Sequence, residues 1–218
     1  MIHVYEPGSD PAAPTLLLLH GTGGTEQDLL PLAQYLSPAS GVLSVRGNVL
    51  ENGMPRFFRR LAEGVFDEED LVFRTKELNE FLDEAAAQYG FNRSSLVAVG
   101  YSNGANIAGS LLFHYEGALR GAVLHHPMVP LRGLKLPSLA GVPVFIGAGH
   151  NDPICRPEET EELAGLLRGA GADVDIHWER AGHQLTRTEV AAASEWFARQ
   201  FVPGGPSGGE ASQSDAKG

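Results

Sequence analysis

Thr15-Leu16-Leu17-Leu18-Leu19 is an unbroken apolar run of strand length, and the chain alternates such runs with segments of helical period. Similar runs lie at 42–45, 96–99, 121–125, 142–146 and 174–178, and residues 2–5 read as a short edge strand closed by Pro7-Gly8-Ser9-Asp10-Pro11. Continuous apolar runs suit strands covered on both faces. Leu29, Leu32, Ala33 and Leu36 share one face of a helix predicted over 26–36, with Thr25 as its cap. Leu71, Leu78, Phe81, Leu82, Ala85 and Ala86 share a face over 70–89, and Gly90 supplies the stop. Further helices are expected from the 96–99 strand towards His114, over 158–170 and over 189–201. Pro143 belongs at the start of its strand, because proline cannot donate to a sheet ladder. This alternation predicts an α/β fold: a mostly parallel central sheet with helices on both faces.

Residues 46–69 break the pattern. Asn48, Asn52-Gly53, Pro55, Gly64 and Asp67 are mixed there with Met54, Phe57, Phe58, Leu61, Val65 and Phe66. Long excursions between core elements are more often functional than filler. The aromatic content suggests the wall or lid of an apolar pocket; the alternative is a surface loop that its aromatics merely anchor. Residues 203–218 are rich in Gly, Ser and Pro and are expected to form a disordered tail beyond a single domain spanning 1–202.

Composition narrows the function classes. At 218 residues and 43% hydrophobic content the chain can bury a core without metal or disulfide help. A formal net charge of -11 argues against a nucleic-acid partner or an anionic membrane surface, and sits less comfortably with a strongly anionic substrate. The only cysteine, Cys155, cannot pair internally and reads as a small buried hydrophobe. No apolar run is long enough to span a bilayer, and the first residues lack a basic-then-apolar leader, so a cytoplasmic location without membrane insertion is expected.

The chemistry centres on Gly100-Tyr101-Ser102-Asn103-Gly104, a G-x-S-x-G pentad between a strand and a helix. Small residues on either side let strand and helix approach around a strained turn that lifts the Ser102 hydroxyl. In an open parallel sheet, ligands bind beyond the carboxyl ends of the strands. Asp152 follows the 142–146 strand and His183 follows the 174–178 strand, so Ser102, Asp152 and His183 fall at such ends in the chain order of a hydrolytic triad. His183 would take the serine proton, and Asp152 would hold its tautomer. The backbone N–H groups of Thr22 and Asn103 are the natural oxyanion donors.

Other histidines fit less well. His150 is near Asp152 in sequence but reads as structural, and His20 as shaping the glycine-rich loop. His125 and His126 end a strand on the pocket side, and lining the acyl or alcohol site is one reading open to them. His125, His126, His150 and Asp152 could cluster around a metal, but no short-spaced zinc motif supports one. No cofactor fingerprint is present either: His20-Gly21-Thr22-Gly23-Gly24 lacks the lysine of a phosphate-binding loop.

His20-Gly21-Thr22-Gly23-Gly24, the serine pentad, Asp152-Pro153-Ile154 and Gly182-His183 resemble the α/β-hydrolases over residues 1–202, within the phospholipase/carboxylesterase group that includes acyl-protein thioesterases. Arg46-Gly47, Glu51-Asn52-Gly53-Met54, Phe57-Phe58-Arg59-Arg60 and Phe66-Asp67 resemble its bacterial carboxylesterase branch associated with hydroquinone and catechol resistance. The resemblance implies a sheet of eight strands or slightly fewer with a minimal cap. It also implies cofactor-free hydrolysis of small or medium esters, aryl esters among them, and a homodimer as an available assembly. Thr22-Gly23-Gly24 and Tyr101-Ser102-Asn103 depart from the eukaryotic thioesterases and weigh against depalmitoylation. A thioesterase or lysophospholipase with the same triad, and a catalytically retired ligand-binding relative, are the competing readings.

Overall fold

Seven strands form the central sheet of the computed structural model, which describes residues 1–202. In chain order come β1 (His3–Glu6), β2 (Thr15–Leu19) and β3 (Val42–Val45), then two small hairpins, β4 (Val49–Glu51) with β5 (Met54–Arg56) and β6 (Arg60–Ala62) with β7 (Val65–Phe66). The remaining strands are β8 (Leu96–Tyr101), β9 (Gly121–His125), β10 (Pro143–Gly149) and β11 (Asp173–Glu179). The sheet order is β1-β3-β2-β8-β9-β10-β11; β1 pairs antiparallel with β3, and every other pair is parallel. Pro143 opens its strand, as expected.

The helices are α1 (Leu30–Leu36), α2 (Glu68–Tyr89), α3 (Asn103–His114), α4 (Pro157–Gly169) and α5 (Arg187–Phe201). Successive strand side chains point to opposite faces. Leu17 and Leu19 therefore join Leu78 of α2, Leu111 of α3 and Leu163 of α4 in one core layer. Leu16 and Leu18 join Leu32 of α1 with Trp196 and Phe197 of α5 in the other. Asp67 caps α2 by accepting from the Asp70 N–H at 3.1 Å, and Gly90 closes it in the left-handed region.

Two expectations need correction. Helix α1 begins at Leu30, four residues later than the apolar spacing suggests. Pro31 has no N–H to return to Gln27, so the helical ladder cannot run upstream through it. Thr25 consequently caps no helix; its hydroxyl accepts from the Gln27 N–H at 3.2 Å within a turn, and Glu26 turns inward to Arg46. The 46–69 segment is also more regular than its composition implies. Asn52 and Gly53, both at positive φ (52° and 81°), make the two-residue turn of the first hairpin. Phe57 and Phe58 are buried in the α2–α3 core layer, so they anchor the segment and do not wall a pocket. The tail expected at 203–218 lies outside the described residues.

The fold positions the site at one place. From β2 the chain goes to β3 on one side, while β8 lies on the other. The carboxyl ends of β2 and β8 thus flank the point where strand order reverses, where loops diverge and leave a crevice.

Candidate active site

Ser102 stands where β8 turns abruptly into α3, with φ 52° and ψ −114°, a region that side chains other than glycine avoid. The turn survives because its surroundings hold it. The Ser102 N–H donates to the His125 carbonyl at 2.9 Å, and the Ser102 carbonyl accepts from the Asn106 N–H at 3.0 Å. Gly104 permits the close crossing of α3 over β2, since a Cβ there would sit 1.9 Å from the Leu19 carbonyl oxygen.

The turn presents the hydroxyl to His183. Ser102 Oγ lies 2.7 Å from His183 Nε2, and His183 Nδ1 lies 2.7 Å from Asp152 Oδ2. A carboxylate only accepts, so Nδ1 carries the proton and Nε2 is left with a lone pair for the serine. The other Asp152 oxygen accepts from the Ile154 and Cys155 N–H groups, both at 2.9 Å. Burial by itself would raise the Asp152 pKa, but the bonds from Cys155, His183 and Ile154 outweigh it and leave the group below the usual carboxylate range. The three side chains expected from sequence are therefore brought into one hydrogen-bonded line with the geometry of a serine-hydrolase triad.

The glycine-rich loop after β2 faces this line. His20 Nδ1 donates to the Gly21 carbonyl at 2.6 Å, and Nε2 accepts from the Gly47 N–H at 3.0 Å. Burial holds the His20 pKa below its usual value, which suits this neutral bridging role. Gly23 N–H donates to the Pro55 carbonyl at 2.9 Å, and Arg56 Nη1 donates to Thr22 Oγ1. The β4–β5 hairpin thus clamps the loop. Thr22, Ser102 and Asn103 share a cleft of about 50 Å³ with Arg56, Phe66 and Met128. The backbone N–H groups of Thr22 and Asn103 have no acceptor among the described residues.

Polar groups displace part of the expected apolar wall. Arg56 is 3% exposed, donates from Nε to the Phe58 carbonyl at 3.1 Å, and has no carboxylate within ion-pair distance among the described residues. Burial lowers its pKa to about 10, yet it remains a cation at neutral pH. Arg60, by contrast, is held by Glu51 through bonds of 2.9 and 2.8 Å.

His125 and His126 do not line the cleft, so that reading of them is not borne out. They are buried behind Asp152: β9 ends at His125, level with Tyr101 of β8, while β10 runs two residues further, from Gly147 opposite His125 to Gly149, before the loop that carries Asp152. There they meet Glu189, a fully buried carboxylate from the first turn of α5. Sequence reading missed Glu189. Thr186-Arg187-Thr188-Glu189 is legible as a helix capping box, which assigns the glutamate a local role and conceals the inward one. His150 is exposed and stacks on Trp178 at 4.7 Å. The cluster with metal-compatible spacing among the described residues is instead His126, Asp152 and His183, whose ligand atoms lie within 4.8 Å of one another. Those atoms are already engaged in the hydrogen bonds of the triad and its support. Cys155 is buried, donates to the Pro127 carbonyl, and has its pKa pushed up to about 12 by burial, so it is no thiolate nucleophile.

Comparison with known proteins agrees with this geometry. Residues 59–200 match the dienelactone hydrolase family. MhqD of Bacillus subtilis (strain 168) is 59% identical over 202 residues, which cover 93% of this chain and 100% of that protein. The crystal structure of the Bacillus cereus carboxylesterase superposes with a TM-score of 0.91 at 68% identity, covering 91% of this chain and 94% of the other. A structure of YahD with malic acid superposes with a TM-score of 0.87 at 30% identity, over 91% and 98% of the two chains.

Proposed function

The chain belongs to the dienelactone hydrolase family and is a serine hydrolase of the α/β-hydrolase superfamily, and from that premise we propose that it cleaves small or medium carboxylic esters through an acyl-enzyme on Ser102. The observation that carries this reading is the 2.7 Å contact between Ser102 Oγ and a His183 nitrogen whose lone pair is free. His183 Nε2 takes the hydroxyl proton as Oγ adds to the ester carbonyl carbon. Asp152 stabilises the imidazolium that forms. The N–H groups of Thr22 and Asn103 receive the oxyanion; one such donor is worth roughly 3 kcal/mol in the transition state. Collapse expels the alcohol with the proton from His183, and a water deprotonated by the same nitrogen then releases the acid.

Size follows from the cleft. About 50 Å³ beside Ser102 accommodates the reacting carbonyl and a short acyl or aryl edge. A larger hollow of about 400 Å³ shares Gly64, Met128 and Ile154 with it and offers room for the remainder of the ester. Hydrolysis of p-nitrophenyl esters from acetate to palmitate, native protein beside Ser102→Ala, tests the proposal. A maximum at two to six carbons that vanishes in the variant supports it. A maximum at long chains, or activity confined to thioesters, replaces the substrate class and keeps the triad. Turnover retained by Ser102→Ala overturns the assignment.

One observation favours a second reading of the substrate, an ester that also bears a carboxylate. Arg56 is a buried guanidinium without a counter-ion at the cleft wall, and a buried cation left unpaired is costly. The likeness to YahD, solved with malic acid, supports the same class. The overall charge of -11 weighed against an anionic substrate, but Arg56 sets a cation in the cleft wall itself. No helix among the described residues is long and apolar enough to cross a membrane. We place the enzyme in the cytoplasm on the free, buried Cys155, which suits a reducing compartment.

A further inference from the structure

Behind the triad the hydrogen bonds continue. Asp152 Oδ2, the oxygen that serves His183, also lies 3.0 Å from His126 Nδ1. His126 Nε2 lies 2.9 Å from Glu189 Oε2, and Glu189 Oε1 lies 2.5 Å from His125 Nδ1. The side chains of His125, His126, Asp152 and Glu189 are sealed from solvent. Since carboxylates accept only, each ring nitrogen facing one must carry a proton. His126 faces one through each nitrogen, so its ring is an imidazolium. His125 faces a carboxylate through Nδ1 alone, and its buried Nε2 has no partner among the described residues.

The backbone is shaped to keep this arrangement. His126 sits at φ 54°, a costly conformation for a residue with a side chain, while its N–H donates to the Gly147 carbonyl at 2.8 Å. Gly147 in turn leaves the space that Glu189 occupies, because a Cβ there would lie 1.9 Å from Glu189 Oε1. Thr186 accepts from the Glu189 N–H at 3.2 Å, the first half of a capping box. The glutamate side chain that would complete the box points inward to the histidines instead.

We propose that His126 is a positioning residue, a buried imidazolium clamped between Asp152 and Glu189 that orients the Asp152 oxygen used by His183 and sets the negative charge the base experiences. The inference rests on the triad reading of Ser102, His183 and Asp152. With both carboxylates ionised, His126 leaves the Asp152–His126–Glu189 trio one net negative charge to balance the imidazolium formed on His183. Without it, two uncompensated carboxylates lie behind the base. The groups facing His126 are Asp152 from the loop after β10, Glu189 from α5, His183 at 5.3 Å between ring centroids and Tyr101 of β8 at 6.2 Å. His125 reaches it only through Glu189, and the Cys155 thiol and Tyr101 phenol are kept neutral by burial.

The test is the pH profile of kcat/KM for a neutral p-nitrophenyl ester, measured on the full chain. In His126→Gln the acid limb moves to higher pH by about one unit or more, because the base loses a cationic neighbour. In His126→Gln with Glu189→Gln, one net negative charge is restored and the limb returns to within about 0.3 of the native midpoint. A residue that only filled space would lower the amplitude without this shift and return. In the native protein, 15N spectra of labelled histidine should show both His126 ring nitrogens protonated at pH 7, with the signal assigned through the His126 backbone resonances. That readout does not depend on a variant that folds. An unmoved limb in folded His126→Gln, or a neutral His126 ring, overturns the inference even if Ser102→Ala is inactive as expected. Activity surviving in Ser102→Ala would instead overturn the reading beneath it.

Discussion

The Tyr101 hydroxyl donates to the His183 backbone carbonyl at 2.8 Å, so the residue preceding the nucleophile directly holds the loop that carries the base. Seryl and histidyl partners 81 positions apart in sequence are thereby kept in register by a bond outside the triad. Tyr101→Phe removes that bond and little else. It should lower kcat about three- to tenfold, the equivalent of one partly buried hydrogen bond of about 1 kcal/mol. KM for a small ester and the melting temperature should change little. Steady-state kinetics with a thermal melt provide the check; unchanged kcat would show that the loop holds itself.

Asp152→Asn should leave the fold intact and cut kcat on the order of 10⁴-fold, because the amide can present its N–H to His183 Nδ1 and stabilise the wrong tautomer. Labelling of Ser102 by a serine-reactive phosphonate should slow in parallel. Loss of turnover with undiminished labelling would contradict the role given to Asp152.

Arg56→Gln should discriminate between substrates. An ester bearing a free carboxylate should lose about tenfold or more in kcat/KM relative to its methyl-capped analogue, reflecting one charge-assisted contact. Both substrates will share any loss from the weakened hold on Thr22, so the ratio is the informative quantity. A constant ratio would return the preference to neutral esters.

Stability should fall on both sides of neutrality for reasons centred on Glu189. Burial raises its pKa, but the bonds from His125 and His126 more than compensate and bring it from 4.5 to about 2. A carboxylate depressed in the folded state contributes stability that is present above its unfolded pKa and is lost as pH falls from about 4.5 towards about 2. The contribution is on the order of 3 kcal/mol. His126 has the opposite sign: burial lowers its pKa, yet Glu189 and Asp152 raise it overall. Its contribution is complete below 6.5 and is lost as pH rises through the folded value. Urea denaturation from pH 3 to 9 should therefore show a dome, and Glu189→Gln should be less stable at neutral pH with a flatter profile. An identical profile in the variant would refute this account.

Much of the architecture was legible in the residues because the signals are local. Unbroken apolar runs announce buried parallel strands, and polar residues immediately after them fall at the sheet's carboxyl end, which is how Ser102, Asp152 and His183 could be picked out. The pentad is equally local, since small residues around Ser102 are what a tight strand–turn–helix crossing demands. Local reasoning failed where a residue's partner is distant. Pro31 was visible, but the apolar spacing of Leu29 and Leu32 masked its veto on the helix start. Phe57 and Phe58 looked like pocket residues until the hairpins turned them into the core and brought Arg56 to the cleft. Glu189 and His126 carry no pattern that distinguishes a helix cap and a strand end from a charge network; only the packing of α5 against the ends of β9 and β10 supplies their partners. Periodicity records which face of an element is buried, so it determined the sheet and the triad's strand ends. It holds no record of which buried polar groups meet across a sequence separation of 63, and that pairing, on which the electrostatics of the base depend, was decided by tertiary structure alone.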